Sequence, residues 1–169
     1  MYSGSISTRR IVRIGLIAAA YTVLTVAFEP ISYGFIQVRL SEILMLLCFF
    51  KADYCVALTL GCAAANMFSP FALLDVPFGT LATALAALLM YRSKRFALSS
   101  LYPVLTNGLI VGGVVAYSGN LPYLTTALWI AAGEMLAVTA VGVAVMKLLM
   151  KNTAFRSLII SNENGKKIN

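Results

Sequence analysis

Apolar residues run in six stretches along the chain, separated by short polar connections. The stretches cover residues 11–28, 37–50, 54–67, 77–91, 101–116 and 121–150. A helix that crosses a bilayer needs about 20 apolar residues, and several of these stretches are shorter. The pattern still predicts six transmembrane helices in a single domain over residues 1–150. Residues 151–169 are predicted to be a polar cytoplasmic tail, disordered over residues 161–169.

The composition agrees with a membrane protein. Hydrophobic residues make up 60% of the chain and charged residues 11%, with a mean hydropathy of +0.89. A soluble domain is about half apolar and one quarter charged. Arg9 and Arg10 before the first stretch resemble the start of a signal peptide, but the stretch ends in Glu29-Pro30 without a small-residue cleavage pattern. We therefore expect an all-α integral membrane protein with a retained first helix.

The basic residues set the predicted orientation. With six spans and both termini cytoplasmic, only Arg39 lies outside and the other 12 of the 13 basic residues lie inside, as the positive-inside rule requires. A single span over residues 40–67 would place Lys51 within the membrane and move Arg92, Lys94 and Arg95 outside, so we reject it. The net charge of +7 then reflects membrane topology, and no nucleic-acid partner is expected.

Polar side chains within or beside the apolar stretches are the candidate site. Carboxylates at membrane depth are costly and usually face a bundle interior or a cavity. The predicted ligand-binding residues, all in the outer half, are Gln37, Arg39, Glu42, Asn66, Asp75, Asn107, Trp129 and Glu134. Carboxylates accept N–H groups, amides read carbonyl or ring nitrogen atoms, and an indole ring stacks. The set fits a flat, nitrogen-rich heterocycle bearing a cation, and amino acids or polyamines fit it less well.

Structural roles for two of the carboxylates stay open. Arg39 and Glu42, three residues apart, either form an ion pair that caps the helix or place the Glu42 carboxylate toward the cavity. Asp75 either caps a helix that begins near Pro77 or contacts the ligand.

The remaining polar positions differ in how easily they are explained. Asn107 either forms an interhelical hydrogen bond or contacts the ligand. Glu134 has no basic residue near it in the sequence, so its expected partner is Arg39, a ligand group or a proton of its own. Glu29 is interpreted as a loop residue at the membrane edge.

The chain lacks the motifs of the common enzyme classes. It has no histidine, no phosphate-binding loop, no G-x-S-x-G and no C-x-x-C, and no nucleophile–base pair is apparent. We expect no enzymatic activity, no metal and no cofactor, so that any energy the protein uses comes from a partner or an ion gradient. Gly15 with Ala19, and Ala18 with Thr22, have the spacing that lets a second helix approach closely, which favours a membrane partner.

Several runs resemble the QueT family. They are EPISYGFIQVRLSE from Glu29 to Glu42, ANMFS from Ala65 to Ser69, LDVPFGTLAT from Leu74 to Thr83, NGLIVG from Asn107 to Gly112, and Gly133-Glu134. QueT proteins are substrate-binding membrane subunits (S components) of energy-coupling factor transporters. The resemblance implies the six-helix S-component fold in the bacterial cell membrane and uptake of a queuosine precursor, such as a 7-deazaguanine base or queuine. It also implies two kinds of partner, a transmembrane coupling subunit and two ATP-binding cassette ATPases.

The resemblance also implies that the small residues of the first helix meet the coupling subunit. Those residues are Gly15, Ala18, Ala19 and Thr22. Two other functions remain open from the sequence. One is an S component for another vitamin or nucleobase. The other is a structural membrane subunit without a ligand, whose polar groups serve only helix packing.

Overall fold

The computed structural model describes residues 7–34 and 37–159, and within them every regular element is helical. The helices are α1 (Thr8–Ala27), α2 (Glu29–Ser32), α3 (Leu40–Phe49), α4 (Ala52–Asn66), α5 (Ala72–Arg92), α6 (Phe96–Gly119), α7 (Tyr123–Leu149) and α8 (Thr153–Ile159). The predicted all-α fold is therefore confirmed. By length and composition, α1, α5, α6 and α7 can each cross a membrane.

The outer surface of the bundle is apolar. Leu16 on α1, Leu73 on α5 and Leu124 on α7 are between 67% and 91% exposed. Such side chains would be unfavourable in water, whereas lipid tails match them. The helices satisfy their backbone hydrogen bonds internally, which is what a lipid environment requires.

Helices α3 and α4 form a hairpin that is shorter than the long helices around it. Helix α3 is a 3₁₀ helix of 10 residues and α4 is an α-helix of 15 residues. At rises of about 2.0 and 1.5 Å per residue, they span roughly 20 and 22 Å. Asp53 at the hairpin tip pairs with Arg10 at 2.6 Å and with Arg13 at 3.0 Å. The tip therefore lies at the end of the bundle where α1 begins.

Helix α3 occupies the centre of the bundle. It contacts α1, α4, α5 and α7, and its residues from Met45 to Phe49 are all buried. Phe49 packs edge-on against Phe50 and Phe96, with ring centroids 5.3 and 5.4 Å apart. Aromatic pairs of this geometry stabilise a core beyond the area that they bury. The central position of α3 also brings its first turn into the interior, where Glu42 lies.

Helix α1 packs on α4 through small residues. A Cβ atom on Gly61 would lie 2.8 Å from the carbonyl oxygen of Ala18, and the Thr22 hydroxyl lies within 3.1 Å of the Gly61 carbonyl oxygen. Ala18 and Thr22 therefore contact α4 of the same chain. Gly15 and Ala19, by contrast, are exposed, and a Cβ on Gly15 would meet nothing within 4 Å.

Helices α6 and α7 approach closely at two glycines. A Cβ on Gly112 would lie 2.7 Å from the Cα of Ala127, and one on Gly108 would lie 3.0 Å from the Cβ of Ala131. These two glycines form a G-x-x-x-G pair, a spacing that lets two helices pack closely.

Part of the predicted tail is folded. Helix α8 follows the bundle, and its last residue, Ile159, is buried and accepts a 3.4 Å hydrogen bond from the Tyr54 hydroxyl. Phe155 packs against the core. Residues 161–169, predicted to be disordered, lie outside the described residues, as do Phe35 and Ile36 of the connection before α3.

Candidate functional site

Six buried polar side chains gather in the interior, and we call them the polar cluster. Each is at most 3% exposed: Arg39, Glu42, Asn66, Asp75, Asn107 and Glu134. They come from the start of α3, the end of α4, the start of α5 and the middles of α6 and α7. Because α3 runs from this cluster toward Asp53, the cluster lies away from the end where α1 begins.

Glu42 is held by a tyrosine from α1. The Tyr21 hydroxyl donates a hydrogen bond to Oε1 of Glu42, and neither side chain is exposed. Next to it, the hydroxyl oxygens of Thr25 and Ser41 lie 2.7 Å apart, a second polar link between α1 and α3. Oε2 of Glu42 is buried and has no hydrogen-bond partner among the described residues. The carboxylate is thus fixed through one oxygen and open at the other.

Arg39 is fixed by the α2 segment rather than by Glu42. Its Nε donates to the Ser32 carbonyl oxygen at 3.1 Å, and its guanidinium lies 5.3 Å from the centroid of the Tyr33 ring. No ion pair within 4.0 Å joins Arg39 to Glu42, so the capping ion pair is wrong. The two charges still attract at longer range, and Nη2 of Arg39 is buried without a described partner.

Tyr33 keeps its proton while it supports Arg39. Burial raises the pKa of Tyr33 to about 12. Its hydroxyl donates to the Ala65 carbonyl oxygen at the end of α4. The Tyr33 ring is therefore held between α4 and the guanidinium at any physiological pH.

Asp75 lies within α5 and does not cap it. The helix begins at Ala72, three residues before Asp75 and five before the predicted start at Pro77, so the capping interpretation is wrong. The Ser69 hydroxyl donates to Oδ2 of Asp75 and accepts from the Phe71 N–H at 3.1 Å. Oδ1 of Asp75 is buried and unpartnered within the described chain.

Asn66 is the neighbour of Asp75 at the end of α4. Its Nδ2 donates to the Asp75 carbonyl oxygen at 2.8 Å, and its Oδ1 has no partner among the described residues. A Cβ on Gly79 would lie 2.6 Å from Nδ2 of Asn66, so the glycine leaves the space that this side chain fills.

Asn107 and Glu134 join α6 to α7. Nδ2 of Asn107 donates to Oε1 of Glu134 at 2.7 Å. Arg39 attracts the Glu134 carboxylate electrostatically and Glu42 repels it, which places all three charges in one region. Oδ1 of Asn107 and Oε2 of Glu134 remain buried without described partners. The partner that the sequence left open for Glu134 is thus Asn107, and Asn107 does form an interhelical hydrogen bond.

Three members of the polar cluster stand at irregular helical turns. Asp75 and Asn107 each begin a π-helical turn of five residues, and Glu134 directly precedes one of eight. A π-helical turn is rare and concentrates at functional sites, because the extra residue changes the direction of nearby side chains. Because such turns occur beside the polar cluster in three helices, they indicate a functional site rather than ordinary helix packing.

Two of the predicted ligand-binding residues, Gln37 and Trp129, are not among the six residues of the polar cluster. Gln37 is 4% exposed and adopts a left-handed φ of 45°, a conformation that non-glycine residues rarely hold. Trp129 is 54% exposed and borders an apolar surface cavity of about 270 Å³ with Leu121 and Pro122. Since α7 buries the face that carries Ile130 and Glu134, the structure does not bring Trp129 into the polar cluster.

Sequence reasoning missed three supporting residues, which are Tyr21, Ser69 and, in its role beside Arg39, Tyr33. A tyrosine within an apolar span does carry a signal, because a buried phenol hydroxyl needs a partner. The partner itself cannot be read from the chain, since 21 residues separate Tyr21 from Glu42.

The free atoms of the polar cluster define what it can bind. Buried polar groups are nearly always hydrogen-bonded, so a group of unpartnered ones indicates a missing partner. Five are oxygen atoms, on Glu42, Asn66, Asp75, Asn107 and Glu134, and one is the Arg39 nitrogen. Such a site favours a ligand with several N–H donors and a carbonyl acceptor. Among the described residues, no group of three or more His, Cys, Asp or Glu side chains is placed to hold a metal ion.

Comparison with known proteins places the chain in a family. The family described as QueT transporter matches residues 11–151 of the chain. The queuosine precursor transporter QueT of Lactococcus lactis subsp. cremoris (strain MG1363) is 42% identical over 94 residues, which cover 52% of this chain and 55% of that protein. The match thus spans about half the length of the curated relative. No solved structure matches the chain.

Proposed function

The chain belongs to the QueT transporter family, and from this premise we propose that it is the substrate-binding subunit of an energy-coupling factor importer for a queuosine precursor. The family and the four long apolar helices make it a multi-pass bacterial membrane transporter. The proposed substrate is a 7-deazaguanine base or queuine. The name of the Lactococcus relative supports this class of substrate.

The free atoms of the polar cluster carry the proposal. A guanine-type edge presents adjacent N–H donors, which a carboxylate accepts in pairs, and a carbonyl oxygen, which suits Arg39. Glu42, Asp75 and Glu134 would take the N–H groups or an attached amine, and Gln37, Asn66 and Asn107 would read the remaining edges. Three carboxylates against one guanidinium favour a ligand that is neutral or cationic.

We also propose six spans with both termini cytoplasmic. Support comes from the α3–α4 hairpin, whose tip reaches the same end as the start of α1 through Asp53. That end carries the basic residues, as the cytoplasmic side does in most membrane proteins. The proposed transmembrane domain covers residues 1–150. The polar cluster then lies in the outer half of the bundle, on the side where an importer meets its substrate.

The proposed partners are a transmembrane coupling subunit and two ATP-binding cassette ATPases, which would supply ATP hydrolysis. The sequence itself contains no phosphate-binding loop. The face of α1 with Gly15 and Ala19 supports a helix contact, because it is exposed and a Cβ on Gly15 meets no neighbour.

Glu134→Gln tests the site. The glutamine keeps an oxygen for Asn107 but replaces the free acceptor with an N–H₂ donor, so the chain should fold while affinity for a 7-deazaguanine base falls by about tenfold to hundredfold. Calorimetry on purified protein measures the affinity, and thermal unfolding checks the fold. The matched control is Glu29→Gln, which removes the same charge from an exposed residue and should bind normally.

The possible outcomes test the binding residues and the substrate class separately. Unchanged affinity in Glu134→Gln would refute the role of the polar cluster. If the unaltered protein ignores 7-deazaguanine bases but another nucleobase or vitamin stabilises it against heat, the substrate class is wrong. If no small molecule stabilises it, a structural subunit is the better account.

A further inference from the structure

A second polar site lies at the opposite end of the bundle from the polar cluster. It is a cavity of about 390 Å³ lined by Arg9, Arg10, Arg13, Lys51 and Asp53, among others. Arg10 and Arg13 share the single carboxylate of Asp53. Four cationic side chains against one carboxylate leave a strong positive charge, so the cavity suits an anion.

An apolar groove adjoins this cavity. It has a volume of about 570 Å³ and runs between α1, α3, α7 and α8, where it is lined by Leu16, Ile17, Ile43, Leu44, Met146 and Leu149 among others. Leu16 is 67% exposed and Leu149 40% exposed, so the groove opens on the outer surface of the bundle. An apolar surface at this position faces lipid tails.

Arg9 and Arg13 line both spaces. The basic cavity and the apolar groove therefore adjoin each other at these two side chains. The cavity lies at the end where α1 begins, and the groove extends from it along α1 to Leu16 and Ile17. This is the shape of an amphipathic ligand that has an anionic head and a hydrocarbon tail. A free anion would leave the groove empty, and a zwitterionic head would match the charge poorly.

We propose that the cavity and groove form a binding site for one anionic phospholipid. Its phosphate contacts Arg9 and Arg13, and one acyl chain lies along the groove. Arg9 is exposed and forms no ion pair with any residue in the described part of the chain, so its guanidinium is available to the phosphate. In the orientation proposed above, the basic end of the bundle faces the cytoplasmic leaflet, in which anionic lipids attract Lys and Arg.

Native mass spectrometry of the full-length protein released from detergent tests the site. The protein is mixed with equal amounts of phosphatidylglycerol and phosphatidylcholine that carry the same acyl chains, and the adducts are counted. Phosphatidylglycerol adducts should dominate. Arg9→Gln should reduce that preference by about fivefold, the effect of one basic residue near an anionic surface. The matched control, Lys94→Gln, removes the same charge from an exposed position outside both spaces and should leave the preference unchanged.

A second pair of variants tests the groove. Leu149 lines it, whereas Leu148 is 66% exposed and does not. Leu149→Gln should reduce adducts of both lipids, and Leu148→Gln should not. If the two leucine variants lose lipid adducts equally, the groove is not part of the binding site.

Other outcomes would overturn the proposal. Equal adducts of the two lipids would mean that charge plays no role. Equal effects of Arg9→Gln and Lys94→Gln would indicate general electrostatics rather than a site. Displacement of the lipid by inorganic phosphate at millimolar concentration would leave only an anion cavity. A dimer in place of lipid adducts would assign the groove to a second copy of the chain.

Discussion

At the scale of single residues, the two oxygen atoms of each carboxylate in the polar cluster differ in their contacts. One oxygen of Glu42 bonds to Tyr21, one of Asp75 to Ser69 and one of Glu134 to Asn107, while the second oxygen of each stays free. The internal bond fixes the direction of the free atom. A ligand that meets such fixed groups loses less conformational entropy on binding than one that must order them.

Tyr21→Phe tests this organisation. The substitution removes only the hydroxyl, so Glu42 loses the donor that positions it, and a buried acceptor without a partner costs about 1–3 kcal/mol. We expect affinity for a 7-deazaguanine base to fall by about tenfold, with a lower melting temperature in detergent. Tyr54→Phe is the control, because its hydroxyl donates to Ile159 at the other end of the bundle. Equal loss of affinity in both variants would show that Tyr21 acts through stability alone.

The sequence predicts the members of the polar cluster better than their bonds. Glu42, Asp75 and Glu134 stand out because ionisable residues are rare in apolar stretches. Their partners do not, because 27 residues separate Asn107 from Glu134 and only the packing of α6 on α7 brings them together. Trp129 shows that suitable chemistry alone does not identify a site residue. Its indole ring suits the predicted ligand, but the side chain is exposed and lies outside the polar cluster.

At the scale of the helices, close packing of α6 and α7 sets the geometry of the Asn107–Glu134 pair. Gly112 lies five residues after Asn107, at the point where α6 touches the backbone of Ala127. Backbone cannot move aside as a flexible side chain does. Any side chain at Gly112 must therefore separate the two helices.

Gly112→Ala measures that constraint. The added Cβ would lie 2.7 Å from the Cα of Ala127, and forced overpacking costs about 1–3 kcal/mol. We expect lower thermal stability together with weaker ligand binding. Gly113→Ala next to it is the control, because its Cβ would lie 3.6 Å from the Tyr123 ring, an ordinary contact. Matching stabilities for the two alanine variants would contradict the proposed helix contact.

The apolar pattern of the sequence does not predict helix boundaries or irregular helical turns. Each of the six apolar stretches overlaps one helix of the described chain. Helix α5, however, begins at Ala72 rather than near Pro77, because Ser69 and the residues after it already form a turn. The 3₁₀ geometry of α3 leaves no mark in the apolar pattern. Neither do the π-helical turns at Asp75 and Asn107, because they arise from tertiary packing rather than from local propensity.

At the scale of the whole molecule, the two ends of the bundle have opposite character. One end collects basic residues around the pairs that Arg10 and Arg13 form with Asp53. The polar cluster, with its three carboxylates, lies away from it. Because basic residues favour the cytoplasmic side of a membrane, this asymmetry supports the proposed orientation, in which the polar cluster lies toward the outside.

The predicted orientation does not depend on whether the α3–α4 hairpin crosses fully. A hairpin that enters and leaves on the same side adds an even number of crossings, so the loop between α5 and α6 lies inside and the loop between α6 and α7 outside in either case. A single crossing over residues 40–67 would reverse both loops. Labelling one cysteine in each loop therefore separates the hairpin from the single crossing.

We predict that Leu121→Cys reacts with a membrane-impermeant maleimide on intact cells, and that Lys94→Cys reacts only after permeabilisation. Both positions are exposed, and the native Cys48, Cys55 and Cys62 are first replaced by alanine or serine. Ala52→Cys, at the exposed tip of the hairpin, should behave as Lys94→Cys does if α3 and α4 span the bilayer, because Asp53 reaches the end where α1 begins. Protection of Ala52→Cys even after permeabilisation would instead leave the tip within the membrane. Labelling of Lys94→Cys on intact cells would reverse the orientation and place the polar cluster on the cytoplasmic side.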